Sequence, residues 1–291
     1  MLSITEEHNQ NTVDIDIKNG YEIAKLINQE DKKVALAVEK ELKIIGKAID
    51  EIASRLQKGG RVAYFGAGTS GRIGILDASE MPPTFGVKQS MFQAFIAGGK
   101  KAVLKAVENS EDSAEFALKD LTKFKPTVND VVIAISASGN PQYVVEVLKV
   151  ARQKGSLAIA ISSNPEAKMK QFADIFINPV VGAEAITGSS RMKAGTAQKM
   201  VLNMLSTGAM IKIGKTYKNY MIDLQVSNAK LHERALRFIK EITGADEKTA
   251  KKFLLQSKSV KTACVMMLKN CSQKEAEKLL KSQNGILRKI I

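Results

Sequence analysis

The sequence predicts an α/β fold, a doubly wound parallel sheet flanked by helices, with a small all-helical C-terminal subdomain. Short runs of apolar residues without polar alternation, such as residues 130–136, are typical of strands buried on both faces of a parallel sheet. Helical stretches separate these runs, which is the order found in βαβ units. After about residue 215 the strand-like runs stop and short lysine-rich helices follow.

The N-terminal part begins with a helical pattern. Apolar residues recur at three- and four-residue spacing from Val34 to Leu56, and Gly59-Gly60 follows as a stop, so we expect one long amphipathic helix. The apolar run 61–68 predicts the first strand. The helix after it is expected to close at Met81-Pro82-Pro83, because proline interrupts helical hydrogen bonding.

The remaining elements repeat this order. Further strands are predicted at 92–98, 130–136, 156–163 and 174–180, with helical stretches at 101–123 and 140–154 and a long helix at 191–213. Breaks at Thr243-Gly244, near Ser257, at Asn270 and at Asn284 divide the tail into short helices. The predicted domains are an N-terminal helical segment (1–51), an α/β domain (52–215) and a helical C-terminal subdomain (216–291).

Composition excludes several classes of protein. The 291 residues, 44% of them hydrophobic, are typical of a globular chain with a sizeable core. The net charge of +14 would suit nucleic acid, but only eight of the 44 basic residues are arginine and aromatic residues make up 5%. Because base readout and stacking use arginine and aromatic side chains, we expect no nucleic-acid partner.

Location and metal content are predicted from what the chain lacks. The first fifteen residues have neither the basic start nor the apolar core of a signal peptide, and no apolar run reaches ~18 residues, so we expect a cytoplasmic protein without membrane contact. The two cysteines, Cys264 and Cys271, lack the spacing of a zinc half-site and are expected to be reduced thiols. We expect no cofactor and no metal.

The first strand runs into a glycine-rich loop, 66–71, with the pattern G-x-G-x-x-G. This pattern can bind a dinucleotide, but the second strand ends in Gly98-Gly99-Lys100 and lacks the carboxylate that would hold a ribose. The hydroxyls of Thr69 and Ser70 at a helix start instead favour a phosphate monoester. A tight turn alone would explain the glycines but not the hydroxyl pair.

A second hydroxyl-rich loop follows the third strand, at Ser136-Ala137-Ser138-Gly139. Asn140 is the expected cap of the next helix, with Pro141 at its first position. Because the carboxyl ends of parallel strands border one crevice, both loops are expected to hold one phosphate through hydroxyls and amide N–H groups.

These loops, FGAGTSGR and SASG, resemble those of the SIS (sugar isomerase) domain, a phosphosugar-binding fold. Nearly the whole chain is similar to the N-acetylmuramic acid 6-phosphate etherase family, above all in segments 63–87, 97–113 and 179–215. It departs from the family in two places. Asn140-Pro141-Gln142 stands where the family commonly has Arg-Thr-Pro, and Met81 stands where it commonly has Cys. The first departure puts in doubt a substrate contact from an arginine in that loop.

The resemblance implies cleavage of the ether between carbon 3 of the sugar and D-lactate, by elimination and water addition, in amino-sugar catabolism and cell-wall recycling. Such a reaction needs one group to take the carbon 2 proton and one to protonate the leaving oxygen. The two histidines, His8 and His232, fit packing or surface roles better than catalysis. By matching family motifs, Glu80 and Glu111 would be the acid-base pair.

The local sequence supports a catalytic role more strongly for Glu80 than for Glu111. Glu80 is expected at a helix C-terminus, where negative charge is unfavourable, and this misfit suggests a function. Glu111 lies in a stretch that equally fits an ordinary helix start. Which glutamate is acid and which is base cannot be decided from the sequence.

The segment before the long helix carries charged and hydroxyl residues, among which Arg191 and Lys193 could meet the lactyl carboxylate or the phosphate. A capped helix with solvated charges would explain the same residues. The complete set of expected substrate-binding residues is Gly68, Thr69, Ser70, Ser136, Ser138, Gly139, Glu184, Ser190, Arg191 and Lys193.

Two rival functions remain: an aldose-ketose phosphosugar isomerase, and a non-catalytic phosphosugar-sensing regulator. The family-like segment after Val180 speaks against the first. A DNA-binding regulator would need a helix-turn-helix, whereas residues 1–60 predict one long helix. The resemblance also implies a homodimer in which residues of one subunit complete the site of the other.

Overall fold

The computed structural model describes residues 4–224 and 229–291. The chain forms two compact units. The first comprises residues 4–79 and 90–206, and the second comprises Glu80–Gln89 together with the described part of 207–291. The first unit contains the sheet and the helices around it, while the second is built mainly from the C-terminal helices.

The N-terminal part holds two helices where one was predicted. Three 3-10 turns (Ile4–Glu6, Gln10–Thr12 and Ile15–Ile17) precede helices α1 (Gly20–Glu39) and α2 (Leu42–Gln57). The single-helix prediction is wrong because the apolar spacing continues across a break at Lys40 and Glu41. The amide of Asn178 donates to the Glu41 carboxylate at 2.8 Å, a contact distant in sequence that the periodicity could not reveal.

Five strands confirm the predicted sheet: β1 (Val62–Gly66), β2 (Phe92–Ile96), β3 (Val131–Ile135), β4 (Leu157–Ile161) and β5 (Ile175–Ile177). All pairs are parallel, in the order β2-β1-β3-β4-β5. The side chains of β1, β3 and β4 are buried throughout, as expected of strands covered on both faces. The strand order reverses between β1 and β3, which is where ligands bind in folds of this kind.

The helices between the strands are α3 (Gly68–Phe85), α4 (Lys101–Leu104), α5 (Ala114–Phe124), α6 (Gln142–Gln153) and α7 (Lys193–Lys212). The stretch predicted as helical at 101–123 is therefore divided by segment 105–113. On one face of the sheet, α5 and α6 cover β1 and β3 through a cluster that includes Phe65, Phe124 and Leu148.

Helix α3 runs through Pro82 and Pro83 and ends at Phe85, so its predicted end at Met81 is wrong. Proline's fixed φ is compatible with a helix, and α3 continues through both prolines although it loses the hydrogen bonds of their missing N–H groups and their rings crowd the preceding turn. Glu80 consequently lies inside the helix and not at its C-terminus. An unfavourable charge at a helix C-terminus therefore gives no reason to assign a function to Glu80, although the family motif still points to this residue.

The second unit contains four C-terminal helices: α8 (Ala229–Thr243), α9 (Glu247–Ser257), α10 (Val260–Lys269) and α11 (Gln273–Ser282). Their ends confirm the predicted breaks. Phe238, Leu254 and Cys264 belong to their common core. Both cysteines are free thiols, and burial raises the pKa of Cys264 to about 12. Among the described helices, none is both long and apolar enough to span a membrane.

Candidate functional site

A cavity of about 330 Å³ lies in the first unit at the carboxyl ends of β1 and β3. It joins the two predicted loops to Glu111, to the N-terminal segment and to the segment before α7. Seven of the predicted site residues line it: Gly68, Thr69, Ser70, Glu111, Ser136, Ser138 and Ser190. The lining also includes Thr5, Glu6 and Gly188, which the sequence analysis did not single out.

The loop after β1 brings the start of α3 to the cavity. Gly68 opens the helix with a φ of +52°, a left-handed conformation that favours glycine. Thr69 and Ser70 follow in the first turn, where helix geometry leaves the backbone N–H groups without intrahelical partners. Hydroxyls and unpaired N–H groups at a helix N-terminus are suited to an anion.

The loop after β3 is held by its own hydrogen bonds. The amide of Gly139 donates to Ser136 Oγ at 3.0 Å. Gly139 itself does not line the cavity, but its φ is +68° and a Cβ there would come within 2.3 Å of Ala167 Cβ. Its described role is therefore to let the chain turn tightly, which presents the two serines to the cavity.

Asn140 and Pro141 do not form the predicted helix start. Helix α6 begins at Gln142 with Pro141 as its N-cap, and no side chain caps it. The Asn140 side chain instead accepts a hydrogen bond from the amide of Lys168 at 3.1 Å. Pro141 lines the cavity, so the residues that replace the family's Arg-Thr-Pro supply an apolar wall and no charge.

Glu111 lies outside any helix, on segment 105–113. Helix α5 begins later, and Ser113 caps it by accepting from the amide of Phe116 at 3.3 Å. The carbonyl of Glu111 accepts a hydrogen bond from the amide of Tyr143 at 2.9 Å. This bond fixes the Glu111 backbone beside α6 and the cavity. Glu111 therefore does not belong to the first turn of a helix, which was the alternative interpretation of its sequence.

Glu80 belongs to the second unit, where it is exposed on α3. The cavity is lined by residues of the first unit, so only one of the two expected acid-base residues is among its lining residues. No metal cluster of three or more His, Cys, Asp or Glu side chains occurs within the described part of the chain.

Two charged residues at the start of α7 and just before it, Lys193 and Glu184, are buried. Glu184 is fully buried, and its carboxylate accepts the amide N–H groups of Lys193 and Ala194, both at 2.9 Å. Burial raises the pKa of Glu184, although these two hydrogen bonds partly offset the effect. Glu184 thus satisfies the N–H groups at the start of α7.

Lys193 is also buried and forms an ion pair with Glu30 on α1, with 2.7 Å between Nζ and Oε2. Burial alone would raise the pKa of Glu30, but hydrogen bonds from Lys193 and Lys33 outweigh it and hold the pKa at about 2. Neither Glu184 nor Lys193 lines the cavity, and Arg191 is exposed outside it. The described geometry therefore lends no support to direct substrate contacts from these three residues, which stay predictions.

The N-terminal segment reaches the cavity because two hydrogen bonds fasten it to the irregular stretch before Ser190. Asn9 Nδ2 donates to the carbonyl of Ala183 at 3.1 Å, and Thr12 Oγ1 donates to that of Ala185 at 2.8 Å. These bonds bring Thr5 and Glu6 to the cavity wall. Residues 4–17 form short 3-10 turns without apolar periodicity, so no pattern in the sequence marked them.

A second cavity of about 180 Å³ adjoins the first, and Ala67, Gly68 and Glu111 line both. Its other walls include Arg72 of α3 and Lys105. The Arg72 guanidinium donates from Nε to the carbonyl of Val103 at 2.8 Å and from Nη2 to that of Lys105 at 3.3 Å. The charge of Arg72 is thereby held between α3 and segment 105–113.

Comparison with family models finds three matches. The N-terminal SIS domain of glucokinase regulatory protein matches residues 44–152, and the SIS domain matches residues 110–208. The C-terminal lid domain of glucokinase regulatory protein matches residues 218–259. These matches agree with the parallel sheet and the helical region that follows it.

Curated relatives match almost the entire chain. The N-acetylmuramic acid 6-phosphate etherase of Caldanaerobacter subterraneus subsp. tengcongensis is 50% identical, over 99% of this chain and 94% of the relative. The protein of the same name from a Geobacillus species is 48% identical over 99% and 98%. That of Vibrio atlanticus is 47% identical over 99% and 94%.

Proposed function

The chain belongs to the N-acetylmuramic acid 6-phosphate etherase family, and from that premise we propose that it cleaves the D-lactyl ether bond of N-acetylmuramic acid 6-phosphate. The products are N-acetylglucosamine 6-phosphate and D-lactate, which places the enzyme, a carbon-oxygen lyase, in amino-sugar catabolism and cell-wall recycling. The observation that carries the proposal is the cavity at the switch point of the sheet, where two hydroxyl-rich loops meet Glu111.

The phosphate is proposed to bind between the two loops. Thr69, Ser70 and Ser138 offer hydroxyls, and the start of α3 offers backbone N–H groups. Among the described residues, no lysine or arginine side chain lines this cavity. Neutral donors and the positive end of a helix dipole can hold a phosphate monoester without a paired cation.

The reaction proceeds from the open-chain sugar, in which the carbon 2 proton lies next to an aldehyde. A base removes this proton, and the bond between carbon 3 and the ether oxygen breaks with its electron pair going to oxygen. An acid protonates that oxygen as lactate leaves. Water then adds to carbon 3 and a proton returns to carbon 2, so one water is consumed overall.

Glu111 and Glu80 are proposed as the acid-base pair. Both glutamates are exposed on the isolated chain, but Glu111 lines the cavity and Glu80 is not among its described lining residues. We therefore propose that the active form is a homodimer in which Glu80 of one subunit completes the cavity of the other. Two carboxylates acting in turn as acid and base need environments that separate their pKa values, and a subunit interface could supply one of them.

We also propose a cytoplasmic location for the enzyme. The 47–50% identical relatives named as etherases give no support to an isomerase or a silent sensor as the function of this chain.

The test is to incubate the purified protein with N-acetylmuramic acid 6-phosphate in water labelled with heavy oxygen. The molecular masses of both products are then determined by mass spectrometry. Elimination with water addition predicts labelled N-acetylglucosamine 6-phosphate and unlabelled D-lactate. Label in the lactate would overturn the mechanism. Binding of the substrate without release of lactate would overturn the enzymatic function and favour a sensor.

A further inference from the structure

We infer that the second cavity receives the lactyl group of the substrate and that Arg72 binds its carboxylate. This inference rests on the proposed function and names the part of the site that recognises what distinguishes the substrate from its sugar product. Four observations lead to it: the shared wall of the two cavities, the position of Glu111, the distribution of cationic side chains, and the way Arg72 is held.

The two cavities are continuous in their lining. Ala67, Gly68 and Glu111 belong to both, so a ligand seated at the hydroxyl loops can extend past Glu111 into the smaller space. The smaller cavity measures about 180 Å³, many times the roughly 10–15 Å³ that a single water needs by this kind of measure. It is large enough for the few atoms of a lactyl group.

The chemistry of the reaction fixes the direction in which the substrate points. The phosphate sits on carbon 6 and the lactyl ether on carbon 3, so the two substituents leave the sugar at different places. With the phosphate at Ser138 and Thr69, a group that acts on carbon 2 or on the ether oxygen must lie at the opposite end of the sugar. Glu111 is the carboxylate common to both cavities, and the lactyl group therefore continues beyond it.

The cationic side chains are distributed in agreement with this direction. Within the described part of the chain, no lysine or arginine lines the larger cavity, whereas Arg72 and Lys105 line the smaller one. Glu108 and Glu111 line the smaller cavity as well. Both glutamates and Lys105 are exposed, so water screens their charges, whereas Arg72 is half-buried. Among the residues first expected to meet the lactyl carboxylate, Lys193 is occupied by Glu30 and Arg191 lies outside both linings.

Arg72 is held in a way that leaves it able to bind an anion. Its two described hydrogen bonds go to the carbonyls of Val103 and Lys105, while a guanidinium has five N–H donors. No carboxylate is paired with it among the described salt bridges. Arg72 also lies one helical turn after Gly68, so α3 sets a fixed distance between the phosphate loop and the cation.

Two matched ligands test the inference without turnover. The 1-deoxy forms of N-acetylmuramic acid 6-phosphate and of N-acetylglucosamine 6-phosphate cannot open their rings, so both stay intact and differ only in the lactyl group. Calorimetry would compare their affinities for the unaltered protein, for Arg72→Gln, for Arg72→Lys, and for Lys101→Gln as a control outside both linings.

We expect Arg72→Gln to lower the affinity for the lactyl-bearing ligand at least tenfold, because hydrogen bonds between charged groups contribute that much or more to the free energy of binding. Its affinity for the ligand without lactate should change less than twofold. Arg72→Lys should recover part of the loss, and Lys101→Gln should resemble the unaltered protein. A third ligand, with an amide in place of the lactyl carboxylate, should bind with an affinity that is insensitive to Arg72→Gln.

Three results would overturn the inference: equal loss for both ligands, no loss for either, or a selective loss in Arg191→Gln and not in Arg72→Gln. Equal loss would mean that Arg72 supports the fold of segment 105–113 and does not recognise lactate. Failure of the unaltered protein to bind either phosphosugar would instead contradict the proposed function itself, so the two failures are distinguishable.

Discussion

The loop after β3 and the segment before α7 both precede a helix, yet they direct their polar groups in opposite ways. Residues 136–139 carry no charge, and Ser136 and Ser138 face the cavity. The segment 184–193 carries several charges, and the side chains of Glu184 and Lys193 are buried in contacts within the unit. Ser190, a neutral residue, is the member of the predicted set that this segment contributes to the cavity.

Two of the charged residues in the segment 184–193 thus make contacts within the unit itself. Burying a charge without a partner is costly in free energy. Glu184 accepts hydrogen bonds from two backbone amides, and Lys193 forms an ion pair with Glu30. A neutral hydroxyl costs less to bury than a charge does, so the serines of the other loop can line a cavity without such partners.

Glu80→Gln should lower kcat by roughly 100- to 10,000-fold, the range over which a positioned acid or base contributes. Affinity for N-acetylglucosamine 6-phosphate should stay within about twofold, because the phosphate loops are unchanged. Steady-state release of lactate and calorimetry measure the two quantities. Lost affinity, or retained turnover, would reject the assignment of Glu80.

Mixing inactive Glu80→Gln with inactive Glu111→Gln tests whether the two glutamates act across a dimer. If they act from different subunits, each mixed dimer holds one intact site, and an equal mixture should regain about a quarter of the native activity. If both glutamates act from one chain, no mixed dimer holds an intact site and the activity stays at the level of the variants.

Glu30→Gln should lower the free energy of unfolding by about 3 kcal/mol, because it leaves Lys193 buried without its anionic partner. The pKa of Glu30 is held at about 2, below the ordinary value of 4.5. Its ionised form therefore stabilises the fold above pH 4.5, and this contribution is lost as the pH falls toward 2.

Urea unfolding at a series of pH values measures this loss. The unaltered protein should lose stability more steeply than Glu30→Gln between pH 4.5 and 2. Parallel curves for the two proteins would show that the ion pair with Lys193 does not hold the pKa of Glu30 low.

Ser138→Ala should weaken binding of N-acetylglucosamine 6-phosphate about tenfold, the effect of one hydrogen bond to a charged group. Ser163→Ala is the matched control, because the Ser163 hydroxyl is buried, finds no partner within the described residues and does not line the cavity. Calorimetry on both variants gives the comparison. If Ser138→Ala binds as tightly as Ser163→Ala, the phosphate does not contact Ser138.

Much of the fold could be predicted from the sequence, because buried parallel strands appear as continuous apolar runs and all five lie where they were expected. Errors occurred where tertiary contacts decide the local structure. At the break between α1 and α2, the Glu41 carboxylate accepts a hydrogen bond from the amide of Asn178, which is distant in sequence. The helix through Pro82 persists because proline's φ is compatible with a helix, although the missing N–H made a stop the better prediction.

The candidate site could be predicted in part for the same reason. The loops after β1 and β3 follow from strand order, so Thr69 and Ser138 were found. Thr5 and Glu6 were missed because the N-terminal turns have no periodicity, and only hydrogen bonds to Ala183 and Ala185 bring them to the cavity. The burial of Lys193 could not be predicted, because its partner is 163 residues away.

Two substitutions compare the cavity directly with the segment before α7: Glu111→Gln in the cavity and Glu184→Gln at the buried start of α7. Turnover of N-acetylmuramic acid 6-phosphate and the free energy of unfolding would be measured for both. We predict that Glu111→Gln loses turnover at least 100-fold with unchanged stability. Glu184→Gln should lose about 1–3 kcal/mol of stability, because the two N–H groups donate to different carboxylate oxygens and an amide keeps an acceptor at one of these positions only. Native turnover in Glu111→Gln would contradict the central claim that the cavity beside Glu111 is where the ether is broken.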